Sequence, residues 1–198
     1  MKAGPRLVLA SGSPRRRELL AHLRLPFEVH SADIDESQKA FEAPNAYVAR
    51  LSLEKATLVH ARFPDAWVLA ADTSVVIDNE VLGKPTDDVE NLVMLKHLSG
   101  RTHRVLTGVT LLGPKHWTDV VETLVHFRAI DTEEATAYVA TGEGHDKAGG
   151  YAFQGGASAF ITRIEGSPSN VIGLPLSETA LLLARAGLKG SPPRVDPG

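Results

Sequence analysis

The sequence predicts an α/β protein, on three observations. Short apolar runs of strand type alternate along the chain with segments of helical period that begin on capping residues. The first apolar run, Arg6–Ala10, passes through Ser11-Gly12-Ser13 straight into a helix opened by Pro14. Another, Trp67–Ala71, ends in Asp72-Thr73, the kind of strand end at which open α/β sheets place their chemistry.

At 198 residues the chain can form one full core, or two lobes sharing a cleft. With 43% hydrophobic and 23% charged residues it has the balance of an ordinary globular protein. A net charge of -3 gives no support to nucleic-acid binding. The absence of cysteine excludes disulfides, thiolate metal sites and thiol nucleophiles, and fits a cytoplasmic protein. The N-terminal apolar run is too short for a signal peptide, and no segment approaches a membrane span. No repeat or linker divides the chain. Residues 1–189 are expected to fold as a single domain with two lobes, and 190–198 (GSPPRVDPG) as a frayed tail.

Ser13 is a good N-cap and Pro14 suits the first helical position. In the helix that follows, Arg16, Leu20 and Leu23 share a face, Arg17 lies on the opposite one, and Arg15 stays close to the loop. A cation at a helix N-terminus opposes the dipole unless an anion sits there, so Arg16 marks a phosphate cradle. Phe27–Ser31 reads as a strand leading into the acidic run Asp33-Ile34-Asp35-Glu36, which is either a solvated loop or a source of oxygen ligands for a hard cation. Pro44 starts a helix to about Phe63 with the stripe Val48, Leu51, Leu58 and Val59. Lys55 falls about 20° from Val48 on that stripe, so it either snorkels to an edge or reaches a bound phosphate.

Ser74–Ile77 continue as β-type sequence after Asp72, and Asp78-Asn79 is a turn. Lys84 lies between Gly83 and Pro85 on a constrained loop near Asp72. Thr86/Asp87 caps a helix to Leu98, closed by Ser99-Gly100. His103–Leu112 and Val120–Ile130 form a hairpin around Gly113-Pro114, and Asp131/Thr132 caps a helix reaching Thr141, closed by Gly142. Gly142–Gly156 (GEGHDKAGGYAFQGG) holds six glycines and lets backbone approach a ligand closely. Its polar candidates are Glu143, Asp146, Lys147, Tyr151 and Gln154. Ala157–Ile164 reads as a strand, Gly166–Asn170 as a turn, and Pro175/Ser177 as the start of a last helix to about Ala186.

Arg15, Arg16, Lys55 and Lys84 beside a strand-end aspartate and an acidic run suggest a polyphosphate ester with a divalent metal. The chain lacks GxxxxGK[ST], a GxGxxG in strand–helix context and histidines at zinc spacing.

Taken together, ASGSPRRRELL, DIDES, LSLEKA, AADTSVV with LGKP, LSGRTHRVLTGV, YVATGEGHDKAGGYAFQG and SNVIGLPLSET resemble the Maf nucleotide pyrophosphatases over about residues 6–180. The resemblance implies a mixed twisted sheet flanked by helices, with two lobes around a deep cleft, similar to Ham1 and ITPase proteins. It implies a homodimer and cleavage of nucleoside triphosphates to monophosphate and pyrophosphate. The cofactor would be a divalent cation (Mg2+, Mn2+ or Co2+). It also implies removal of non-standard nucleotides and a link to arrested septum formation.

Carried over by residue, Asp72 matches the general base. Ser11, Arg16, Lys55 and Lys84 match phosphate-binding positions, and Glu36 with Asp72 the metal ligands. Arg15, Thr73 and Gln154 match specificity positions, and KAGGYAFQGG is similar to the dTTP/UTP branch. The glutamine amide suits the edge of a uracil or thymine ring, where the 7-methyl-GTP branch typically carries glutamate. Three other readings stay open: a non-catalytic nucleotide sensor acting in septum formation, a phosphatase with Asp72 as nucleophile, and a 7-methyl-GTP pyrophosphatase. The second lacks the usual acid two residues on, where Ser74 stands.

Overall fold

The structure, a computed structural model, describes residues 5–190. A seven-stranded mixed sheet runs through it, with helices on both faces. Strand β1 (Leu7–Leu9) lies parallel to β2 (Glu28–Val29) on one side and to β3 (Trp67–Ile77) on the other. Beyond β3 the neighbours are antiparallel: β5 (Thr102–Leu112), β6 (His116–Phe127) and β7 (Ile161–Glu165). Strand β4 (Glu80–Leu82) folds back on β3 through Asp78-Asn79. Both turn residues have positive φ, 51° and 65°, as a two-residue turn matched to strand twist requires.

Among the described residues six helices cover the sheet: α1 (Pro14–Ala21), α2 (Pro44–His60), α3 (Asp88–Leu98), α4 (Thr132–Val139), α5 (Pro168–Ile172) and α6 (Leu176–Arg185). The pleat of β3 assigns its residues to two faces. Val68 and Ala70 pack on Ala56 and Val59 of α2, and Val76 packs on Val48. Leu69 and Ala71 pack on Leu19, Leu20, Leu182 and Leu183 of α1 and α6. By the same alternation Asp72 faces α2 and Thr73 the opposite layer.

Asp72 is not at a strand end. β3 runs on through Ser74–Ile77 because β5 pairs with it continuously from Val68 to Val76. On the other edge the pairing is broken: β1 pairs with β3 only as far as Leu69, and β4 pairs with it only from Val75. Ala70–Ser74 therefore has one edge without a strand neighbour. Asp72 and Thr73 lie at that gap, just past the C-terminal end of β1.

Gly108 stands directly opposite Asp72 in β5. A Cβ there would lie 2.2 Å from the Val48 carbonyl oxygen, so the missing side chain lets the α2 backbone rest on the sheet. Ser52 Oγ, 2.9 Å from Thr110 Oγ1, ties the next turn of α2 to the same strand. With the helix seated so, Lys55 points at Asp72.

Other boundaries shift. The segment expected as strand from Ala157 is first a 3₁₀ stretch, Gly156–Phe160, and becomes strand at Ile161. The expected turn Gly166–Asn170 is the start of α5: Ser167 caps it by accepting the Asn170 N–H, and Pro168 takes the first helical position. β6 begins at His116, ahead of the expected Val120. Of the expected tail, 191–198 lie outside the described residues.

Gly108→Ala should lower stability by about 1–3 kcal/mol through overpacking, read as a lower urea midpoint. An unchanged midpoint would show that α2 is not held by this contact.

Candidate active site

A cleft of about 690 Å³ opens over the gap in β3. The β1–α1 loop, β3, the Gly83-Lys84 loop, the glycine-rich segment and the end of α5 all line it. Because the β3 edge is open there, the cleft reaches side chains from both faces of the sheet, Asp72 from one and Thr73 from the other.

On the Thr73 side, α1 starts as the sequence predicts, with Ser13 Oγ accepting the Arg16 N–H. Arg16 turns inward: Nε donates to the Gly173 carbonyl at 2.8 Å, Nη2 to Thr73 Oγ1 at 3.1 Å and Nη1 to Ser11 Oγ at 3.4 Å. All three acceptors are neutral, so they fix the guanidinium without cancelling its charge. Burial lowers its pKa, while the charges of Asp72 and Glu36 support the protonated form. Thr73 is braced in turn by Thr107, 2.9 Å between hydroxyl oxygens.

On the Asp72 side, Lys55 is buried and does not snorkel. Its ammonium lies 2.6 Å from Asp72 Oδ1 and 2.6 Å from Glu36 Oε1. Of the acidic run, Glu36 alone lines the cleft; Asp35 is turned to the backbone N–H and hydroxyl of Ser37. The Tyr47 hydroxyl, donating to the Glu36 carbonyl at 2.7 Å, holds that loop against α2. Desolvation raises the pKa of Glu36. The hydrogen bond and charge of Lys55, with the charges of Lys84 and Arg16, outweigh it and keep the carboxyl below its ordinary value. Lys84 is exposed at the cleft wall.

The glycine-rich segment forms the far wall. Gly149 N–H donates to the Gly83 carbonyl at 2.9 Å, joining this wall to the Lys84 loop. Glu143 is spent on structure, accepting the Gly156 N–H at 2.8 Å. Asp146 pairs with Arg15 at 3.2 Å across the cleft and with Lys147. Gln154 is exposed on the cleft wall. Tyr151 is buried, its hydroxyl 2.8 Å from His103 Nε2, with Phe127 edge-on to both rings.

Several supporting residues carry no sequence signal of their own role. Asn170 donates Nδ2 to the carbonyls of Val105 (3.0 Å) and Val121 (3.2 Å) and to Thr123 Oγ1 (3.0 Å), which anchors α5 and so places the Gly173 carbonyl. Asn91 lies fully buried beneath Gly144 and Gly150. Their spacing gave no warning, since each partner is distant in sequence.

Among the described residues no cluster of three or more His, Cys, Asp or Glu could hold a metal. Asp72 and Glu36 are nonetheless a fitting pair. Mg2+ commonly takes one or two carboxylates and completes its shell with substrate phosphates and water.

The fold and this cleft define a mixed α/β protein built to receive a polyanionic ligand beside a buried carboxylate. The chain belongs to the Maf family: the family model described as Maf-like protein matches residues 6–186. It is 57% identical to the dTTP/UTP pyrophosphatase of Myxococcus xanthus over 92% of this chain and 93% of that protein. It is 48% identical to the dTTP/UTP pyrophosphatase of Caulobacter vibrioides over 96% and 100%. Among solved structures, the Staphylococcus aureus Ham1 protein overlays 62% of this chain and 70% of that one, at 15% identity and a TM-score of 0.45.

Burial, with the charge of His126, pushes His103 down to about 4. The unfolded chain binds that proton more readily, so stability should fall as pH drops from about 6.5 to about 4, by up to about 3 kcal/mol. Urea unfolding at stepped pH measures the slope, and His103→Phe should flatten it.

Proposed function

We propose that this protein hydrolyses dTTP and UTP, and modified pyrimidine triphosphates of the same shape, to the monophosphate and pyrophosphate. The observation that carries the reading is the buried Asp72 carboxylate at the floor of a cation-lined cleft. Its Oδ1 accepts from Lys55, and no described side chain donates to Oδ2.

In this reading Oδ2 takes a proton from the water that attacks the α-phosphorus. The new bond forms from that water oxygen to phosphorus as the α–β bridging bond breaks. The electron pair leaves with pyrophosphate, and Arg16, Lys55 and Lys84 neutralise the charge that gathers on it. Arg16 is already oriented by three neutral acceptors, so little reorganisation is needed when phosphate arrives. Glu36 and Asp72 would hold the divalent cation, which when bound withdraws charge from the phosphates. Arg15, Thr73 and Gln154 are assigned to specificity; the Gln154 amide offers both a donor and an acceptor to a pyrimidine edge. The names of the two relatives support dTTP and UTP over other triphosphates. A homodimer belongs to the same reading, and sedimentation in solution tests it.

Asp72→Asn should keep the fold and cut pyrophosphate release from dTTP by about 10²–10⁴-fold; near-normal release would sink the assignment. Gln154→Glu should lower the preference for dTTP and UTP in a panel of triphosphates. An unchanged ranking would remove Gln154 from the specificity set.

A further inference from the structure

A cation already stands where two carboxylates of the cleft converge. The Lys55 ammonium lies 2.6 Å from Asp72 Oδ1 and 2.6 Å from Glu36 Oε1. Lys55 is 7% exposed and Asp72 6%, so the pair has little access to water. No third His, Cys, Asp or Glu among the described residues joins them to complete a metal cluster.

A divalent ion arriving alone meets two obstacles here. It must compete with an ammonium that is already hydrogen-bonded to both of its carboxylates, and it would leave that ammonium buried with no counter-charge. It must also enter a positive field, since five cationic side chains line the cleft against three carboxylates. A triphosphate reverses both conditions. Its oxygens give Lys55 a new partner within the cleft, its charge offsets the excess of cations, and it brings ligands for the metal.

We propose that Lys55 is a resident cation that keeps the Asp72–Glu36 pair closed to divalent metal until a triphosphate enters. Metal and nucleotide then bind as one unit, and Lys55 moves from the carboxylates to the phosphates in the same event. Free metal does not occupy the resting enzyme, in which Asp72 is ordered by the Lys55 ammonium. The inference rests on the reading of Asp72 and Glu36 as the metal-holding pair of a triphosphate hydrolase.

Calorimetric titration with Mn2+ alone tests it. The wild type should bind Mn2+ at least about tenfold more weakly than Lys55→Met, the change expected when a charge-assisted competitor is removed. The double variant Lys55→Met/Asp72→Asn should lose that gain, and Mn2+ should raise the melting temperature of Lys55→Met but not of the wild type. Should Lys55→Met fail to fold, the wild type provides its own reading through the NMR resonance of the Lys55 ammonium. That signal should stay in place with Mg2+ alone and move with Mg2+ and α,β-imido-UTP. Equal Mn2+ affinity in wild type and Lys55→Met, or a Lys55 signal that moves with Mg2+ alone, would overturn the proposal. Either result is independent of whether dTTP is cleaved. Tight metal binding by an active enzyme removes this inference and leaves the hydrolase reading, whereas a wild type that cleaves no triphosphate removes the reading itself.

Discussion

An ammonium shared by two carboxylates inside a protein has to be placed within tenths of an ångström, and most of this molecule bears on placing the one on Lys55. Its side chain and that of Asp72 are each 9% exposed. Charges so poorly hydrated are tolerated only in pairs; removing one partner of a buried pair costs about 3–5 kcal/mol. Asp72 comes from the middle of β3, Lys55 from the middle of α2, and Glu36 from the loop before α2. The contact therefore requires helix and sheet to pack at one spacing. Gly108 permits that spacing, and the apolar contacts of Val48, Ala56 and Val59 hold it. The core and the Lys55–Asp72 contact are fastened by the same helix.

The interrupted edge of β3 decides what else can join them. A strand paired on both sides presents its two faces to separate layers. Between Leu69 and Val75 one neighbour is missing, and groups from both layers meet around the free edge. Arg16 and Thr73 come from the α1 side, Lys55 and Asp72 from the α2 side. The division suits a triphosphate, whose charged chain needs cations on more than one side.

The two walls are held differently. On one, Arg16 is fixed by a carbonyl and two hydroxyls, and α5 is pinned by the three hydrogen bonds of Asn170. On the other, the glycine-rich segment is tied by a backbone bond to Gly83, by the Glu143 clasp on Gly156, by the Tyr138 hydroxyl accepting the Ala152 N–H and by buried Tyr151 against His103. The Arg15–Asp146 pair crosses between them in an exposed setting, where an ion pair is worth about 1 kcal/mol or less.

Local patterns in the sequence determined a great deal of this. The Ser13 cap with Pro14, the Asp87 and Asp131 caps, and the β5–β6 pair follow from interactions within a few residues, which the chain writes next to one another. That Lys55 lies on the core-facing stripe was legible from its phase on α2, as was the inward turn of Arg16 from its place on α1. Other features depend on partners on other elements, 17 residues away for Lys55 and Asp72 and 157 for Arg16 and Gly173, and only the tertiary structure decided them. The strand bearing Asp72 runs past it because β5 pairs there; its free edge exists because β1 ends early. Ser167-Pro168 reads equally as a turn until Asn170 finds the β5 and β6 carbonyls that make it a helix. Whether Lys55 met solvent, phosphate or carboxylate could not be read from its period. A helical phase fixes which way a side chain points, and the packed fold alone fixes what it meets.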